Sequence, residues 1–221
     1  MHDGQYQSLL FSETGNLVEH NIEDQRPVGR YQEVVWEPHF ELLPKQFDNA
    51  GLLENTNRKQ QVGDQAVLAF QGDTNQWHLA GGLLPLAKRL EADRSWAHDA
   101  SIRQAEALSF VWVHESRAIV MAFQDGELLL INSYPVANNA EVLYFSLAPY
   151  HVEKIHPSKV RVLVWADESR LLAILNEYNR MSIAAFSAPL SPVYGPNKRV
   201  PFAHFLAPLM ELAACELPEG N

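Results

Sequence analysis

The chain is short of cysteine, of basic residues and of long apolar runs, and each shortage removes a class of function. Cys215 is the single cysteine among 221 residues. No internal disulfide can form, which suits a reducing compartment. The thiol lies next to the apolar stretch 209–214, without the base and electropositive surroundings that a nucleophilic cysteine needs. Seventeen Lys and Arg face 27 Asp and Glu, for a formal net charge of -10. Nucleic acid is bound by a basic stripe, and the only adjacent basic pairs are Arg58-Lys59, Lys88-Arg89 and Lys198-Arg199. These belong to solvated faces. The same charge disfavours anionic membranes. No uncharged apolar run approaches the roughly 20 residues of a membrane span. Met1-His2-Asp3-Gly4-Gln5 opens without the basic and apolar regions of a signal peptide. The expectation is a soluble, cytoplasmic protein with neither nucleic acid nor membrane as partner.

Catalytic and metal motifs are missing too. There is no Gly-x-Ser-x-Gly elbow and no Gly-x-x-x-x-Gly-Lys phosphate loop. His151 and His156 are five apart, off the i, i+4 spacing that puts two imidazoles on one helix face. No metal site is expected.

What is present is material for a core. Hydrophobic residues make up 47% and charged residues 20%, a globular balance. The second half reads clearly. Residues 108–113, 118–123 and 128–131 are β-branched, aromatic or aliphatic runs that predict three strands. Asp125-Gly126 between the last two is a tight-hairpin signal. Asn138 or Asn139 can cap a helix with Val142, Phe145 and Leu147 or Ala148 inward, and Pro149 predicts a kink or break in it. Residues 160–165 predict a buried strand. Asp167 caps a helix to about Arg180, 181–186 is a last strand, and 202–215 an amphipathic final helix. The order is β-β-β-α-β-α-β-α, that of a ribonuclease H-like unit.

The first half gives the same order more faintly. Residues 6–11 and 17–22 predict strands around a turn, and 34–36 with 40–43 a third strand interrupted by Pro38. Pro44 predicts a helix start, and 52–61 a polar helix. Residues 65–71 predict a strand and 83–90 a helix, with Gly81-Gly82 as the turn before it. Residues 94–97 predict a short strand, and Asp99 caps a helix through Ala107. The chain therefore divides into two ribonuclease H-like lobes, 1–107 and 108–221, arranged as in actin-like ATPases: an α/β architecture.

Three local patterns point to a family. Phe40-Glu41-Leu42-Leu43-Pro44, Gly126-Glu127-Leu128 followed by Asn132-Ser133-Tyr134, and Glu141-Val142-Leu143-Tyr144-Phe145 resemble elements of the uncharacterised, mainly Bacteroidetes domain-of-unknown-function family 3822. The resemblance covers about 31–186 and is sharpest over 108–165. Leu43 stands where that family usually has valine, and Ala166 where it often has glycine. The resemblance implies an actin-like fold and no established activity.

Actin-like ATPases hold nucleotide phosphates between two hairpins, one per lobe. Each needs an Asp near the end of its first strand for Mg²⁺ and glycines for backbone approach. The candidate tips here are Glu13-Thr14-Gly15-Asn16 and His114-Glu115-Ser116-Arg117. The first has one glycine and an acid inside the turn. The second has neither Asp nor Gly. A ribonuclease H-type nuclease would need acids within 108–113 and 160–165, and there are none. No cofactor is expected, with ATP and Mg²⁺ the pair to test. The leading expectation is a non-catalytic pseudo-ATPase scaffold or protein-binding module, with an unidentified protein partner or self-association. The alternatives are a divergent nucleotide-binding switch or kinase-like enzyme using the interlobe cleft, and a small-molecule sensor. Trp36, Trp112 and Trp165 belong to the expected core, and Trp77 and Trp96 are candidates for contacts.

Overall fold

The computed structural model describes residues 6–11, 17–23, 33–35, 40–45, 56–62, 66–71, 76–97, 99–166, 168–177 and 183–185, and among these seven strands precede the first α-helix. Strands β1 (Tyr6–Phe11) and β2 (Leu17–Glu23) pair antiparallel. Strand β3 (Glu33–Val35) stands apart from β4 (Phe40–Pro44). Strands β5 (Thr56–Val62) and β6 (Ala66–Gln71) follow, then β7 (Gln76–His78). An antiparallel sheet has the order β4-β6-β5, and β3 runs parallel to β7.

Then come α1 (Leu79–Ala92), a 3₁₀ turn at Arg94–Trp96 and the short α2 (Ala100–Arg103). The second half holds β8 (Ala107–His114), β9 (Arg117–Gln124), β10 (Glu127–Pro135) and α3 (Asn139–Val152). It continues with β11 (Val160–Trp165), α4 (Glu168–Glu177) and β12 (Ile183–Ala185). Its five strands form one sheet in the order β10-β9-β8-β11-β12. The β8, β9 and β10 ladders are antiparallel, and β11 runs parallel to both β8 and β12. Along the chain, β8 to β12 with α3 and α4 follow the element order β-β-β-α-β-α-β expected from the sequence. Asp125 and Gly126 both take positive φ, 50 and 83, the geometry of a primed hairpin turn.

Strand β8 is the pivot of the packing. Leu108, Phe110 and Trp112 join one core, with Ile119, Met121 and Phe123 from β9 and Leu163 and Trp165 from β11. That core also takes Leu79, Leu83, Leu84, Leu86 and Leu90 from α1, and Phe40, Val62, Leu68 and Phe70 from the three-stranded sheet. It therefore runs across the expected boundary at 107/108. Val111 and Val113 face the opposite way, into a second core with Val142 of α3 and Ile174 of α4. Ten of the fourteen residues of α1 are buried, which explains its lack of a polar face. Glu91 is among them, and Arg94 neutralises it with two bonds, Nε to Oε2 at 3.0 Å and Nη2 to Oε1 at 2.5 Å. A buried carboxylate needs such a partner. Arg94 also donates to Ala105 O at 2.6 Å, and Trp96 Nε1 to Leu90 O at 2.9 Å. The connector from α1 to β8 is thus bonded at both ends.

Several expectations are corrected. Thr56–Val62 is a strand, where a polar helix was expected over 52–61. Pairing with the apolar β6 outweighs the helix propensity of Arg58-Lys59-Gln60-Gln61. Phe40 and Val34 lie in strands of different sheets, and Pro44 is the last residue of β4, with 3₁₀ conformation starting at Lys45. Helix α1 starts at Leu79, so Gly81-Gly82 are helical and Pro85 is interior. Residues Arg94–Trp96 form a 3₁₀ turn, not a strand. Asp99 caps α2 as expected, accepting from Ser101 N–H at 2.7 Å, but α2 ends at Arg103 because β8 already begins at Ala107. Asp167, residues 178–180 and the segment 202–215 lie outside the described residues. No described helix is long and apolar enough to cross a membrane.

Helix α3 continues to Val152 and does not break at Pro149, where a kink or break was expected. Tyr150, the next residue, anchors the last turn. Its hydroxyl donates to Leu108 O at 2.6 Å and accepts from Phe123 N–H at 3.1 Å, gripping β8 and β9 together. Burial pushes the phenol far above its ordinary pKa. Tyr150→Phe is expected to cost about 1–3 kcal/mol at neutral pH, because both backbone groups lose a buried partner; urea titration measures it. The sign at alkaline pH follows from the raised pKa. The native phenol stays protonated while the unfolded one ionises from about pH 10, so its contribution is intact below pH 10 and lost as pH rises further. The variant is expected to lose stability less steeply above pH 10 than the wild type.

Candidate functional site

The β8–β9 turn is the half of the expected interlobe site that the described residues include. His114 and Arg117 are opposite each other in the ladder, and Glu115-Ser116 form a two-residue turn. Glu115 takes φ 48, a left-handed value that glycine holds without strain. Its carboxylate is half exposed and lies 3.9 Å from His114 Nε2. The His114 ring tilts against Trp112 at 5.6 Å. The Ser116 carbonyl accepts from Val136 N–H at 2.8 Å, which ties the tip to the segment between β10 and α3. Thus His114, Glu115, Ser116 and Arg117 are brought together. Glu13, Thr14, Gly15 and Asn16 lie between β1 and β2, outside the described residues.

The chemistry of this tip is poor for phosphate. The turn has no glycine to bring backbone N–H groups close, and it places a carboxylate at its apex. Strand β8 carries only Ser109 and His114 as polar residues. Among the described residues, no three His, Cys, Asp or Glu side chains come together as a metal site.

A second feature escaped the sequence reading. Helix α3 buries Val142, Ser146 and Tyr150 against the sheet. On another side, Ala140, Leu143, Tyr144, Leu147, Ala148 and His151 line an open groove of about 450 Å³. Tyr150, Ile155, Pro157 and Val160 line it as well. Tyr144 is 66% exposed and Val152 76%. The signal was in the composition: Glu141 is the one acidic residue in α3 and lysine and arginine are absent from it, whereas a surface helix covered on one side has a charged face. Tyr134 stacks on Phe145 with centroids 4.1 Å apart, and Tyr144 meets Phe145 edge-on at 5.3 Å. This stack joins two of the patterns singled out in the sequence, Asn132-Ser133-Tyr134 and the aromatic start of α3.

Of the tryptophans, Trp112 and Trp165 are core residues as expected. Trp96 is half-buried and packs against the first core, so it serves the connector rather than an outer contact. Trp36 and the side chain of Trp77 lie outside the described residues. The left-handed backbone at Glu115 predicts that Glu115→Gly raises stability by up to about 1 kcal/mol, read from the urea midpoint. A loss of stability contradicts that reading.

Comparison with known proteins agrees with this architecture. No curated protein matches the chain. A solved structure from Bacteroides thetaiotaomicron, described as a protein with actin-like ATPase fold and unknown function, is similar with a TM-score of 0.53 at 12% identity. The similarity covers 83% of this chain and 72% of that one. The fold is therefore the actin-like ATPase fold. Residues 95–181 match the family model described as "Protein of unknown function (DUF3822)", so the pattern at Phe40–Pro44 falls outside the matched span. Over residues 95–181 the chain thus carries the sequence pattern of DUF3822, the family that its second-half motifs resemble.

Proposed function

We propose that the protein is a non-catalytic relative of the actin-like ATPases, built of lobes 1–107 and 108–221, that acts by binding another protein or itself. The observation that carries this reading is the β8–β9 turn. It offers Glu115 at its apex and no glycine, and β8 ends in Val113 and His114 rather than in an acid. Phosphates and Mg²⁺ need the opposite arrangement, with backbone N–H groups bare and a carboxylate set back on the strand. The apolar groove on α3 supports the binding half of the proposal, because contiguous exposed apolar surface marks interaction sites.

The test is calorimetric titration with ATP and ADP in the presence of Mg²⁺. No saturable heat is expected up to millimolar nucleotide. Binding at or below roughly 100 μM, about −5.5 kcal/mol, that weakens in Arg117→Ala would instead establish the divergent nucleotide-binding switch or kinase-like enzyme.

A further inference from the structure

We draw no further inference here: the strongest candidate, the open apolar groove on α3 lined by Leu143, Tyr144, Leu147 and His151, carries none because nothing in the structure shows what covers it.

Discussion

Strand β8 is covered on both faces, and the rest of the structure depends on that double cover. Leu108, Phe110 and Trp112 fill the core shared with α1, while Val111 and Val113 fill the one shared with α3 and α4. A lone carboxylate in either place would lose its hydration with no compensating partner, at a cost of several kcal/mol. Packing and phosphate chemistry compete for the end of this strand, and here it ends in Val113 and His114. The proposal of a non-catalytic protein is the functional side of that competition.

The same cover joins the two halves of the chain. The first core draws on β4, β5 and β6, on α1, and on the five-stranded sheet. The connector after α1 adds fixed bonds, with Arg94 holding Glu91 and Ala105 O, Arg161 reaching Ser101 Oγ at 3.1 Å, and Glu106 N–H donating to Lys159 O at 3.0 Å. On the far face, Tyr150 grips β8 and β9 from α3. That grip holds the last turn of α3 in place despite Pro149, and leaves the opposite side of the helix to solvent.

The second half was legible because its signals are local. The runs at 108–113, 118–123 and 160–165 are too short and too β-branched for helices, and Asp125-Gly126 names its turn. The first half was less so. Thr56–Val62 reads as a polar helix in isolation, and only its pairing with β6 makes it a strand. Gly81-Gly82 signal a turn by propensity, yet they lie in a helix buried on most sides, where small residues suit close packing. The hairpin tip at 114–117 was found by spacing from its strands. The α3 groove has a weaker signature, because Val142, Phe145 and Leu147 account for one apolar face and the other shows only in the lack of Lys and Arg in the helix.

Native-state hydrogen exchange tests the shared core most directly. The account predicts that amides of α1 and of β8, β9 and β11 exchange only through one common opening, with the same free energy as global unfolding. Amides of α1 that exchange through a separate opening, several kcal/mol below that of the sheet, would contradict it.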